Sequence, residues 1–443
     1  MRGKGRLWCL AAWLCALPLC HQSIAAGAAE EHWLLNQKTD FAQFLNNLKT
    51  KETLARGVLD QAHRAEAHAL ELNDQQALPI ARQAVALAEQ GLGKAHERVA
   101  RQDEKLAAID RALSLKTAVP GVTLAIRGEV QKQEGKAWVP LTSAAPLKSG
   151  EAIRTGLTGS ADVIFRDGSR VQLGPNSEFL LEEQTPQRST YRLLNGFIHD
   201  LFKPPQRFRT FGGGLRGQLI QYNTPTAILA VRGTEFDLKL DEQGVTHLVP
   251  YAGTMELTAE AGKLNRSKLD RWWESGTPAA APTPLPPGKV LRLAALQGEV
   301  RIEGVDGASR AAAVGDLLAR GERLITGDTG LAHLDLAGGY RASAGPNTRL
   351  KIATENNSSG RQRCALEQGR VHMVGTPAHT PKTSRSPGFV TPNAVLRGNG
   401  AEFEVTVDAH GLTDVIPLAG SLEVTAKREP LDLERIQPWW NEP

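Results

Sequence analysis

The chain has 443 residues, a formal charge of +4, 41% hydrophobic and 23% charged residues, and 5% aromatics. This balance excludes a wholly disordered chain and a polytopic membrane protein. At roughly 100–200 residues per domain it predicts about three domains, and the abundance of Gly (43) and Pro (25) favours many turns and short strands.

Residues 1–25 read as an export signal. Arg2, Lys4 and Arg6 form a basic start, Leu7 to Leu19 is an apolar stretch, and Ser23-Ile24-Ala25 offers small residues for cleavage. The apolar stretch is short for a membrane span, so a cleaved signal is expected over an uncleaved anchor. Leu19 stands where a lipobox wants a small residue before Cys20. Losing three cations leaves a mature charge near +1, without the basic footprint of a nucleic-acid binder. Of four cysteines, Cys9, Cys15 and Cys20 lie in the signal region. Cys364 alone remains, and one thiol makes no internal disulfide or cysteine metal cluster. It is expected to be a small packed residue.

Residues 28–116 are rich in Ala, Leu, Glu, Gln, Lys and Arg, the better helix formers. Leu78, Ala81, Val85 and Ala88 recur at helical spacing. Two or three antiparallel helices, a helical hairpin or coiled coil with scope for oligomerisation, are predicted. Asp74 is the expected cap, and Gly91 with Gly93 the expected break between helices.

After Pro120 short alternating segments take over, which is the pattern of an all-β region. Ala161, Val163 and Phe165 alternate with polar neighbours, and Asp167-Gly168 is a hairpin signal. Phe236, Leu238 and Leu240 repeat the alternation. Residues 274–289 form a Pro-rich linker, expected to be extended.

The two β regions, 118–273 and 290–443, are an internal duplication. Gly128-Glu129-Val130 matches Gly298-Glu299-Val300, and Gly174-Pro175-Asn176-Ser177 matches Gly345-Pro346-Asn347-Thr348. Gly196 matches Gly369, Thr224-Pro225 matches Thr391-Pro392, Glu235-Phe236 matches Glu402-Phe403, and Ala252-Gly253 matches Ala419-Gly420. Trp272-Trp273 answers Trp439-Trp440, with the offset drifting from 170 to 173 and then falling to 167.

Each repeat resembles the FecR domain, a periplasmic module of iron-transport regulators and other bacterial envelope proteins. The resemblance rests on Gly150 to Thr155-Gly156, Asp167-Gly168-Ser169, Gly174 to Ser177, Leu193 to Gly196, and Thr224-Pro225 through Val231-Arg232-Gly233-Thr234-Glu235-Phe236. The second copy departs from it. Gly338-Gly339-Tyr340 replaces the Asp-Gly-Ser turn, and Ala401 stands where the first copy has Thr234. In regulators of this family a cytoplasmic domain grips a sigma factor, one helix crosses the membrane, and the periplasmic domain reads a transporter. Only a few residues here precede the apolar stretch, so the resemblance implies the periplasmic module rather than the whole relay.

No catalytic, cofactor or metal constellation stands out. There is no H-E-x-x-H and no G-x-S-x-G. Gly212-Gly213-Gly214 lacks the ending of a phosphate loop. His199 and His372 each fall three residues beyond a matched glycine, which reads as a repeated structural histidine. The candidate binding residues are basic ones in equivalent loops, Lys203, Arg207, Arg209 and Arg216 in the first copy and Lys382 and Arg385 in the second, suited to an acidic partner. The other candidates are the pairs Trp272-Trp273 and Trp439-Trp440. Adjacent tryptophans in a strand point opposite ways, leaving one free for a partner unless each pair packs as a lid on its own domain.

The expected architecture is mainly β, two tandem β-sandwich or β-roll-like modules behind an α-helical N-terminal region. The expected role is a non-enzymatic, periplasmic or secreted interaction or scaffold protein binding an envelope protein or an anionic cell-wall polymer. The alternatives are a periplasmic sensor in transmembrane signalling and a polysaccharide-active hydrolase.

Overall fold

The structure, a computed structural model, describes residues 17–427 apart from 116–118, 186, 203–218, 261, 279–281, 283–284, 287–290, 337–338, 354–362, 376–387 and 399. Strands dominate, and two helices precede them.

Helices α1 (Leu17–Glu71) and α2 (Ala77–Ser114) form an antiparallel hairpin. Ion pairs Lys38–Asp110 (2.7 Å) and Glu66–Arg82 (3.2 Å) bridge them near the open and closed ends. Leu45, Leu48 and Val99 pack between them. Asp74 caps as expected, its carboxylate accepting from the N–H groups of Gln76 (2.9 Å) and Ala77 (3.0 Å).

The break is not at Gly91 and Gly93, which lie inside α2 facing open space. Each glycine costs about 1 kcal/mol in a helix, less than a continuous α2 gains by packing along α1. The chain turns instead at Asn73, whose φ of 50° is one that asparagine tolerates.

The first β unit contains β1 (Gly121–Arg127), β2 (Val130–Glu134), β3 (Ala137–Pro140), β4 (Pro146–Leu147), β5 (Ala152–Thr155), β6 (Ser160–Phe165) and β7 (Ser169–Leu173). It continues with β8 (Glu178–Gln184), β9 (Arg188–Asn195), β10 (Phe197–Phe202), β11 (Leu219–Asn223), β12 (Ala227–Leu240) and β13 (Thr246–Ala259). One layer pairs β4–β1–β6–β7–β10–β12 and the other β3–β2–β5–β8–β9–β11–β12. All these pairs are antiparallel except β9–β11. The long strands β12 and β13 belong to both layers, bending between their halves.

The matched glycines are the corners where the chain changes layer. Gly196, between β9 and β10, has φ +78°, and a Cβ there would lie 2.3 Å from the Ser177 hydroxyl oxygen. Gly253 in β13 has φ +86°, and its Cβ would stand 2.3 Å from the Gly233 carbonyl oxygen. Both demand glycine twice over, by backbone conformation and by space. Ser177 explains its own motif. Its hydroxyl accepts from the Phe197 N–H and donates to the Phe197 carbonyl, both at 3.0 Å, and so ties down the residue after the corner. Thr348 does the same for Arg370 at 3.1 Å.

The second unit repeats the order. Its strands are β14 (Leu291–Gln297), β15 (Val300–Glu303), β16 (Ser309–Ala311), β17 (Leu317–Leu318), β18 (Arg323–Thr326), β19 (Leu331–Leu336) and β20 (Tyr340–Ala344). Then come β21 (Arg349–Ile352), β22 (Arg363–Val374), β23 (Gly388–Val390), β24 (Ala394–Gly398), β25 (Glu402–Val407), β26 (Thr413–Ala419) and β27 (Ser421–Ala426). The unit even keeps the parallel pair, here β22–β23.

The two units share one hydrophobic core. Strand β13 runs antiparallel to β27, with Thr254 opposite Thr425, Glu256 opposite Glu423 and Thr258 opposite Ser421, and it meets β26 at Leu248–Val415. Met255, Leu257, Leu422 and Val424 point inward along this seam. The helical hairpin covers the outer face of the first unit, where Leu34, Phe41 and Ile109 meet Val122, Leu124 and Ile164.

A shared core predicts one unfolding transition for both β units. Leu257→Ala, at the seam, is expected to cost about 2–5 kcal/mol and to lower that single transition in guanidinium chloride, monitored by circular dichroism. A separate, unshifted transition of the second unit would contradict the shared core.

Candidate functional site

The family-type turn Asp167-Gly168-Ser169 joins β6 to β7, with Gly168 at φ +99° and the Asp167 carboxylate accepting the Ser169 N–H at 2.8 Å. Turn geometry therefore accounts for the motif. The same carboxylate accepts the Tyr191 hydroxyl at 2.6 Å, and Tyr191 stacks on Tyr222 with ring centroids 5.0 Å apart. Asp200 on β10 completes the group. It is fully buried, and neither of its oxygens has a hydrogen-bond partner among the described residues. The hydroxyls of Ser169 and Tyr222 are equally unpartnered there.

Burial drives the Asp200 pKa well above the carboxylate range. The nearby Asp167 charge adds to this, and Tyr222 opposes it. Such a carboxyl holds its proton at neutral pH. With Asp200 at 0% and Asp167 at 3% exposure, the pair is shut away from a polymer substrate and does not present the open carboxylate cleft of a glycoside hydrolase.

This cluster belongs to the first unit alone. Strand registers place Tyr340, Cys364, Met373 and Phe389 where the first unit has Ser169, Tyr191, Asp200 and Tyr222. Cys364 is therefore a core residue, its thiol pushed up to about 12 by burial. The cluster also lies at the root of the basic loop, because β10 ends at Phe202 and β11 begins at Leu219. Lys203, Arg207, Arg209 and Arg216, like Lys382, Arg385, Trp439 and Trp440, lie outside the described residues.

Trp272 and Trp273 sit on a short 3-10 turn, not a strand. They form a lid, but not on the unit the chain has just left. Trp273 is buried and stacks on His372 of β22, centroids 4.0 Å apart and planes at 7°. The Trp272 indole N–H donates to Glu404 at 2.9 Å, and Arg370 lies over its ring at 4.6 Å. Arg266 grips Glu402 with two hydrogen bonds, and Glu402 accepts from His372 at 3.1 Å. Against the cost of burial, these two partners hold the Glu402 carboxyl down at about 2. The chain crosses to the second unit because β13 is the seam strand, so the segment leaving β13 emerges beside β25.

In the first unit His199 takes the place of His372. Its Nδ1 lies 2.8 Å from Asp237 and its Nε2 3.6 Å from Glu235, while the Tyr251 hydroxyl donates to Asp237 at 3.1 Å. Burial opposes the charged ring, yet the two carboxylates raise the His199 pKa on balance. Both histidines are structural. The periodicity of the sequence shows their repetition but not their carboxylate partners. The Thr234 hydroxyl, which the second unit loses at Ala401, is buried with no hydrogen-bond partner among the described residues.

The arrangement defines a duplicated β unit in which the Asp200 cluster is buried and His199 and His372 are paired with carboxylates. Residues 151–254 match the family described as FecR protein, so the first β unit carries a FecR domain. No curated protein matches the chain. Among solved structures, a cell surface anchoring domain is 22% identical, with 16% of this chain and 97% of that one covered and a TM-score of 0.14. A structure assigned as an anti-sigma factor from Parabacteroides distasonis ATCC 8503 is 17% identical, with 25% and 47% covered and a TM-score of 0.21.

The buried groups lead to two expected outcomes. The raised pKa of Asp200 means that its contribution is fully favourable below the unfolded carboxyl pKa and is lost as pH rises toward the folded one. Asp200→Asn is therefore expected to leave stability at pH 4 nearly unchanged and to raise it at pH 8, by on the order of 2 kcal/mol, measured by denaturant unfolding at each pH. Trp273→Ala removes the stack on His372 and is expected to destabilise the fold by about 3–5 kcal/mol.

Proposed function

We propose that this chain is a non-enzymatic, extracytoplasmic signalling protein whose FecR domain reads a protein partner. The observation that carries the reading is the family match over 151–254, a stretch that includes both the buried polar cluster and the residues of the basic loop. The loop of the first unit is the proposed contact surface, through Arg207, Arg209 and Arg216 and an acidic face of the partner. No helix among the described residues is long and apolar enough to cross a membrane. The signal would therefore pass through a separate membrane partner or through the apolar stretch at residues 7–19.

Two features support docking over scaffolding. The polar cluster is confined to the unit that matches the family, whereas a scaffold of equivalent modules would use both alike. The described histidines of the sheet faces and Trp273 are already committed to contacts within the chain.

A photoreactive residue at Arg207 in the full-length protein, crosslinked in cells and analysed by mass spectrometry, tests this. Capture of a membrane transporter or membrane regulator is the expected result, with charge reversal at Arg209 and Arg216 reducing it at least tenfold. Capture of glycan or of structural envelope proteins would replace the signalling reading with a scaffold. Absence of specific capture would remove the loop as the contact surface.

A further inference from the structure

We propose that the outer half of the helical hairpin is a docking arm for a second copy of this chain, the two arms packing antiparallel into a four-helix bundle. The hairpin has two unlike sides. Between its helices a contact row is buried, with Leu45, Leu48 and Ala62 from α1 and Ala81 and Val99 from α2. On one side of that row, ion pairs cross from helix to helix, Lys49–Asp103 at 3.7 Å and Glu52–His96 at 3.1 Å among them. On the other side Leu54, Val58, Leu72, Ile80 and Leu87 stand 56–70% exposed. Leu54, Val58, Ile80 and Leu87 each come one residue before a position turned toward the other helix. In an antiparallel pair such positions share one side of both helices, so these side chains form a single apolar row.

The row continues an interface that already exists. At the base of the hairpin the same side lies on the first β unit, where Gln37 and Asp40 hold Arg170 and Lys105 pairs with Asp162. Steps of three and four residues, which keep to one helix face, lead from Asp40 through Phe44 and Lys51 to Leu54 and Val58. On α2 they lead from Lys105 through Arg98 and Gly91 to Leu87 and Ile80. The face is thus covered by sheet at its base and runs on uncovered to the tip. A layer of two helices with one apolar side is half of a stable arrangement, and a second helical layer completes it.

Size, charge and shape fit a second copy. The five large side chains expose roughly 500 Å² per copy, so two facing rows bury about 1,000 Å² before their small neighbours are counted, which reaches the size of specific interfaces. Between Leu54 and Gly91 the row holds no Asp, Glu, Lys or Arg, so meeting its own image brings no like charges together. The β unit sits on the row's own side, at the base. Two arms meeting row to row in parallel would drive their β units into each other, whereas antiparallel arms place each β unit beyond the other's tip. That arrangement also brings the acidic tip, Glu71 and Asp74, beside the exposed cations at the other base, Lys51, Lys94 and Arg98. Gly91, with nothing within 4 Å of where a Cβ would stand, leaves room for the close approach.

Sedimentation velocity of the full-length protein over a hundredfold range of concentration should show a reversible monomer–dimer equilibrium. L54E/L87E should raise its dissociation constant at least tenfold with an unaltered far-ultraviolet spectrum. L70E is the control and should leave it unchanged, because Leu70 is 52% exposed but follows Ala69, on the ion-pair side. A photoreactive residue at Lys51, in an equal mixture of isotopically light and heavy protein, should label peptides bearing Leu72 or Asp74 between chains. A monomer at every concentration would overturn the proposal, and its flotation with phosphatidylcholine vesicles would assign the row to lipid. A dimer that L54E/L87E leaves intact would place the contact elsewhere. Interchain labelling confined to peptides around position 51, as parallel arms give, would overturn the antiparallel arrangement.

Discussion

The antiparallel seam between β13 and β26–β27 is the constraint on which the rest of the molecule depends. A sheet that ended at β13 would leave a long edge with unpaired backbone groups, an invitation to wrong partners. Here the second unit supplies the missing neighbour. Alternation turns Met255 and Leu257 into the common core with Leu422 and Val424, while Thr254 meets Thr425 and Thr258 meets Ser421 across the outer side at 3.2 and 2.8 Å. The seam has a cost, because it sets Glu256 against Glu423. Both are solvent-exposed, where like charges are screened, and Arg397 partners Glu423 at 3.0 Å. The seam also gains bonds that neither unit has alone, His247 to Asp414 at 2.7 Å and the Asn393 amide to the Pro250 carbonyl at 2.9 Å.

Joined in this way, the two units are free to specialise. The second has an apolar interior at Cys364, Met373 and Phe389 and meets the ordinary demands of packing. The first holds Asp167, Asp200, Tyr191 and Tyr222 in the corresponding volume, with buried oxygens that water would satisfy better than protein does. A group of this kind lowers stability, and proteins keep such groups where activity needs them. The two units thus keep one strand plan around a polar interior in the first and an apolar one in the second.

Much of this is legible in the sequence, and the legible parts share a cause. Gly196, Gly253, Ser177 and Asp167-Gly168 can be read because local backbone geometry dictates them, and local demands leave local marks. The misplaced helix break has the opposite cause. Gly91 and Gly93 carry a local penalty that a tertiary contact along α1 outweighs, and the sequence alone does not show the contact. The seam is out of reach because the alternation of β13 identifies its inner face without naming the strand beside it. The same holds for the lid. Trp272-Trp273 can be recognised as a repeated feature, but its target on β22 and β25 is set only by the crossing at the seam. Asp200 escapes notice because an aspartate next to a histidine in a strand has no local signature, and its burial comes from β7 and β12 on either side.

The covers of the two units narrow where a partner can sit. The face built from β1, β6 and β7 lies under the helices, which hold Asp162 and Arg170. The equivalent face of the second unit lies under residues 272–278, which reach His333 and Arg341. Homologous positions have thus been adapted to two unrelated covers, a hairpin of helices in one case and an extended strap in the other. The opposite layer of the first unit, β2, β5, β8, β9 and β11, turns outward a polar array in which Arg154 lies over Trp138 at 4.3 Å and Arg192 pairs with Glu182 at 2.5 Å. The basic loop is flanked by one strand of each layer, β10 of the helix-side layer and β11 of this one.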